Sequence, residues 1–169
     1  FSSLRRHTRL HEKSRGLGDV YKRQLNGRAF GEVFEHDWAV AAREKSTIAV
    51  VIFTLDEFDA YLDVFGRHAA DSALRRVGQA IRRCLRRASD VVARSKGQHF
   101  LVLSHVSDET NVREFAGRIS TAVRELGLHH PRSTKGRFVT VSWEVAAAEP
   151  AVDNREPRTL LEELLEKMA

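Results

Sequence analysis

The sequence is short of cysteine: Cys84 is the only one in 169 residues, so no disulfide can close within the chain, and a disulfide-built secreted scaffold is excluded. No apolar run approaches the length of a bilayer span, and the first residues lack the apolar core that a secretion signal needs. These absences predict a cytoplasmic protein with no membrane partner. Internal repeats and low-complexity stretches are missing too. What remains suits one ordinary globular domain, with 42% of residues hydrophobic and 30% charged.

The formal net charge is +5 with a pI near 9.8, a balance that invites a nucleic-acid reading. The positions of the arginines lead elsewhere. Arg75, Arg76, Arg82, Arg83, Arg86 and Arg87 fall on one amphipathic stretch, as on a solvated helix face. Neither the aromatic motifs of RNA-binding modules nor a complete DNA-reading module is present, so no nucleic-acid partner is expected.

Residues 1–24 do not share the pattern of the rest. Phe1 to His11 resembles the back half of a Cys2His2 zinc finger, with Leu4 in the core position and His7 and His11 as paired ligands, but the two preceding cysteines are absent and no tetrahedral site can close. Gly16 to Gln24 resembles a translated sequencing adapter. The expectation is a disordered or loosely helical segment without function, followed by one domain over residues 25–169.

From Leu25 the pattern is coherent. Phe30, Val33, Phe34, Trp38 and Ala41 recur at helical spacing and predict a helix over Arg28 to Lys45. Thr47 to Leu55 is nearly all apolar, as a central strand covered on both faces should be. Asp56 to Leu62 reads as a short helical turn; after Gly66 a long helix runs from His68 to Arg87, with Leu74, Val77, Ile81, Cys84 and Leu85 inward. Val91 to Arg94 and His99 to Ser104 are short β-rich runs joined through Lys96-Gly97, a hairpin signal. Asp108 to Leu126 reads as a helix, Phe138 to Ala146 as a strand after the break at Lys135-Gly136, and Pro157 to Met168 as a last helix. The fold class is α+β, a mainly antiparallel central sheet covered by helices.

Leu25-Asn26-Gly27-Arg28-Ala29-Phe30 before the first helix, the order strand, helix, hairpin, and the late strand with Ser142-Trp143-Glu144-Val145 together resemble the GGDEF domain of diguanylate cyclases over about Leu25 to Met168. Lys96-Gly97-Gln98-His99-Phe100 stands where that family has its signature pentapeptide, with three of five letters changed. The resemblance implies a nucleotidyl-cyclase-like fold and a site that joins two GTP molecules, a 3′-hydroxyl attacking an α-phosphate with help from metal ions.

It also implies what that site has lost. The two metal-holding carboxylates of the family fall at Thr54 and Gln98, neither of them charged, and the fourth signature letter is His99, whose imidazole suits zinc, copper or nickel better than magnesium. The triphosphate-attracting lysine is Asp59, the guanine-reading asparagine is Leu62, and Lys96 replaces the first signature glycine ahead of the retained Gly97. Asp71 keeps an aspartate of the base site. Asp56 survives as one carboxylate at a strand end, of the kind that more often caps a helix. The expectation is no cyclase activity, no catalytic residue, no cofactor and lost magnesium binding.

One constellation is intact. Arg87-Ala88-Ser89-Asp90 matches the family's RxxD inhibitory site at the family's distance before the hairpin, and Arg118 falls where a second arginine of that site lies. Through it the resemblance implies an inactive module that binds cyclic di-GMP, with a homodimer or another signalling domain as possible further partner. Two readings stand beside it. One is a structural dimerisation or partner-binding domain in which Arg87 to Asp90 cap a helix and join an exposed ion pair; the other is an active cyclase with unusual ligands.

Overall fold

The structure, a computed structural model, describes residues 25–95, 97–105 and 108–168. The expectations for residues 1–24 and for the Lys96 side chain lie outside the described residues. Among the described residues nine elements follow one another: β1 (Leu25–Asn26), α1 (Gly27–Glu44), β2 (Ile48–Leu55), α2 (Phe58–Cys84), β3 (Val91–Arg94), β4 (His99–Ser104), α3 (Glu109–Glu125), β5 (Val141–Ala148) and α4 (Pro157–Met168).

The strands form one sheet in the order β1-β3-β4-β2-β5. All neighbours are antiparallel except β1 and β3, which run parallel through Leu25 and Asn26 opposite Ala93 and Arg94. The eight residues of β2 carry almost no polar side chain because both faces are covered. Ala49, Val51, Phe53 and Leu55 point into a core built with α2 and α3, while Ile48, Val50 and Ile52 point into a second core built with α1 and α4. The period-two alternation of a strand thus divides one apolar run between two layers.

Local chemistry sets the helix ends. The Asn26 side chain accepts from the Ala29 amide at 2.8 Å and Asp108 does the same for Asn111 at 2.8 Å, satisfying amides that the first turn leaves without carbonyl partners. Several boundaries differ from the sequence expectation, and three of them bear on the sites below. Helical structure begins at Phe58 rather than Asp56 and continues to Gly66, whose non-helical backbone (φ 80°, ψ 172°) separates it from the long second segment of α2, as the expected break there implied. The same helix stops at Cys84 rather than Arg87, because Leu85 takes an extended conformation and turns its side chain onto the core. Finally, β5 starts at Val141 and not Phe138, since β2 ends at Leu55, the partner of Val141; Phe138 makes only an isolated bridge to His129.

Candidate functional site

Two places collect the residues singled out by the sequence. The first is the carboxyl end of β2, where β4 and β5 flank it. There the hairpin tip closes on the strand: the Leu55 amide donates to the Gln98 carbonyl at 3.2 Å, the Ser95 amide to that of His99 at 2.9 Å, and Gly97 supplies the positive φ (73°) of the turn. Thr54 is paired across the ladder with His99 on one side and Ser142 on the other, so the three side chains share a face. Thr54 Oγ1 and His99 Nδ1 are hydrogen-bonded at 2.7 Å, and burial pushes the His99 imidazole below its usual range, towards the neutral form.

Asp56, just past the strand, does not cap a helix. Its carboxylate accepts from the hydroxyls of Thr140 (2.7 Å) and Ser142 (2.5 Å) and pairs with the Lys135 ammonium at 3.2 Å, while Lys135 also donates to Ser142 at 3.0 Å. The N-cap of α2 is Glu57 in the left-handed region (φ 51°), and its side chain caps nothing. Its carboxylate instead accepts the amide and hydroxyl of Thr134, each at 2.8 Å, and these hold it below the usual carboxylate range. Asp59 is exposed on the first turn of α2, Leu62 is half-buried against the core, and Asp71 faces Arg94 at 3.8 Å. Magnesium needs hard anionic oxygens. Here Thr54 and Gln98 offer none, and the Asp56 charge is matched by Lys135, so these residues do not fit that ion.

The second place is a cavity of about 290 Å³ between the end of α2, β4 and α3, lined by Arg86, Arg87, Asp90, Ser104, Asn111, Glu114, Phe115 and Arg118. It brings together all three residues of the RxxD constellation. Because α2 ends at Cys84, Arg87 sits in the loop before β3, and the Asp90 amide bonds back to the Arg87 carbonyl at 3.1 Å. The Arg87 guanidinium donates through Nη1 to the main-chain oxygen of His105. Arg118 is exposed, its guanidinium carbon 6.0 Å from the centre of the Phe115 ring, a cation–π approach.

Asp90 is only 6% exposed, and its Oδ1 has no hydrogen-bond partner. Burial pushes its carboxyl above the usual range, opposed by the backbone amides of Arg87 and His105. The exposed ion pair expected of the structural-module reading is not what forms: among the described residues Asp90 makes no ion pair, and Arg87 turns to a carbonyl.

Sequence reasoning missed Lys135, Thr140 and Ser142 around Asp56, and Arg86, Phe115 and Glu114 around Arg87. Register carries the first group to the strand end, and only Ser142, directly opposite Thr54, could have been placed by counting along the strands. For the second group, Phe115 and Arg118 at i, i+3 on one helix face were a usable signal.

A family model described as diguanylate cyclase, GGDEF domain, matches residues 19–168. The chain is 29% identical over 130 residues to the diguanylate cyclase DosC of Escherichia coli (strain K12), covering 77% of this chain and 27% of that protein. It is 32% identical over 99 residues to the cyclic di-GMP phosphodiesterase PdeR of the same organism, covering 59% of this chain and 14% of the relative. The chain thus spans about a quarter or less of these relatives' length. Among solved structures, the GGDEF domain of PA1120 (YfiN or TpbB) from Pseudomonas aeruginosa superposes with a TM-score of 0.73 at 23% identity, covering 87% of this chain and 89% of that one. The coiled coil and GGDEF domain of DgcB from Caulobacter crescentus, crystallised with c-di-GMP, gives 0.74 at 22% identity, covering 98% and 87%. These likenesses establish the fold.

Proposed function

The chain belongs to the GGDEF-domain family of diguanylate cyclases, and on that premise we propose that it is a regulatory module that binds cyclic di-GMP without making it, its ligand held by Arg87, Asp90 and Arg118. The observation that carries this reading is the cavity itself. It gathers two arginines of the constellation beside a buried carboxylate whose Oδ1 is unpartnered. A guanidinium fork fits the O6 and N7 edge of guanine or a phosphate, and a carboxylate accepts from the N–H groups of the base. The DgcB neighbour was crystallised with the same ligand.

The absence of turnover is supported by the strand end. Catalysis there would need anionic oxygens to hold cations against the triphosphates. In their place are a neutral hydroxyl bound to a histidine and a carboxylate already balanced by an ammonium. Asp59, exposed on the first turn of α2, adds a carboxylate where the resemblance implies a triphosphate-attracting lysine.

Calorimetric titration of the 169-residue protein with cyclic di-GMP, and separately with GTP and magnesium, tests both halves. Expected are a dissociation constant in the micromolar range or tighter for cyclic di-GMP and no cyclic di-GMP formed from GTP. Arg87→Ala removes a charge-assisted contact of about 1.5–3 kcal/mol, or roughly tenfold to a hundredfold in affinity. The same flat titration for wild type and Arg87→Ala at high protein concentration would instead favour a structural partner-binding domain.

A further inference from the structure

His105, just past the end of β4, touches two residues of the proposed ligand site, Arg87 and Asp90, and one helix outside it. Its carbonyl accepts from Arg87, its backbone amide lowers the acidity cost of the buried Asp90, and its ring reaches α1, with Nε2 2.9 Å from Asp37 Oδ2. Resting on the reading above, we infer that His105 is a positioning residue for the cyclic di-GMP pocket: it holds Arg87 through its carbonyl, is itself anchored to α1 through Asp37, and makes ligand affinity follow the charge state of that anchor.

The geometry supplies the coupling. Arginine has five N–H donors in a fixed fork, and one given to a carbonyl leaves the others to face the cavity. A long side chain fixed in advance loses less freedom when a ligand arrives. The carbonyl that fixes it belongs to a residue with no regular structure of its own, the strand having ended at Ser104. What restrains His105 is the ring contact to Asp37, with side chains 25% and 18% exposed respectively.

The charged groups around the imidazole come from two elements. From α1 come Asp37 and, bonded to its other carboxylate oxygen at 3.1 Å, His36; from the loop before β3 come Arg87 and Asp90. The Asp37 hydrogen bond raises the His105 imidazole above its usual range, opposed by burial and by Arg87. On Asp37, burial is outweighed by its bonds to His105 and His36, and its carboxyl is lowered. The contact is ionic while His105 keeps its proton, and it weakens to a neutral hydrogen bond as that proton is lost. Asp90 titrates in the opposite sense, since protonating it removes the acceptor, so falling affinity on the acid side belongs to Asp90 and on the alkaline side to His105.

The test combines cyclic di-GMP titrations of the full chain from pH 6 to 9 at constant ionic strength with NMR of the free protein over the same range. Wild type is expected to lose affinity about threefold to tenfold as His105 deprotonates, the cost of leaving one long side chain unfixed. Asp37→Asn should flatten that profile and lower affinity at pH 6, whereas Asp37→Glu should restore part of it and His36→Gln leave its slope in place. In the free protein, the amide signals of Arg87 and Asp90 should move with the His105 ring titration in wild type and not in Asp37→Asn. A wild-type affinity independent of pH, or a slope that survives Asp37→Asn, overturns the inference while leaving the receptor reading intact. If no cyclic di-GMP binds at any pH, the receptor reading fails. The amide signals then decide the coupling alone, and their indifference to His105 overturns it.

Discussion

Asp90 is costly where it stands. A carboxyl this deeply buried, with one oxygen unpartnered and its acidity weakened by burial, opposes folding at neutral pH, where the unfolded chain would ionise it freely. Its raised folded-state pKa means stability falls as pH rises through the ordinary carboxylate range. Asp90→Asn should therefore leave the melting temperature at pH 7 unchanged or higher while weakening cyclic di-GMP binding at least tenfold. A lower melting temperature would mean that the carboxylate serves the fold. Thr54 and Gln98 make the complementary case, two neutral side chains where the resemblance implies charge. Restoring both as Thr54→Asp with Gln98→Asp should still give no cyclic di-GMP from GTP and magnesium in a product assay, because Asp59 and Leu62 leave the substrate unheld.

Among the elements, α1 is tied to the sheet twice. Phe30, Phe34 and Trp38 bury one face in the core it shares with α4, and truncating a fully buried ring such as Phe34→Ala should cost about 3–5 kcal/mol in denaturant unfolding. The second tie is the Asp37–His105 contact, whose contribution has a defined pH window. The raised His105 gives stability that is complete below the unfolded value of 6.5 and lost as pH rises through its folded value; the lowered Asp37 gives stability complete above 3.8 and lost as pH falls. Thermal melts should be highest between about pH 4 and 6.5 in this contribution, and Asp37→Asn should remove on the order of 0.5–1 kcal/mol there and little at pH 9.

The elements themselves were legible because each carries a pattern, a 3.6-residue period in the helices and a nearly continuous apolar run in β2. Their ends were less so. That α2 stops at Cys84 depends on Leu85 finding the core, a long-range contact with no local signal, and that stop is what frees Arg87 to line the cavity. The three constellation residues could be named through the family resemblance, but His105 and Asp37 could not be joined, being 68 positions apart and unremarkable in sequence.

For the whole molecule, the charge is unevenly placed. Residues 1–24 hold seven of the 28 lysines and arginines and two of the 23 acidic residues, so the entire formal +5 resides there and residues 25–169 are neutral overall. Deleting residues 1–24 should leave the melting temperature nearly unchanged and abolish retention on a cation exchanger at pH 7; a large drop in melting temperature would place those residues in the core. The sheet order has a consequence for synthesis. Central strand β2 lies between β4 and β5, and its pairing with β5 joins residues 86 to 100 positions apart. While the chain is being made, the most apolar strand therefore leaves the ribosome well before its β5 partner and keeps one edge open until residue 148 has emerged. Nascent chains halted before residue 141 should accordingly be cleaved readily by protease and held by chaperones, and those released beyond 148 should resist both.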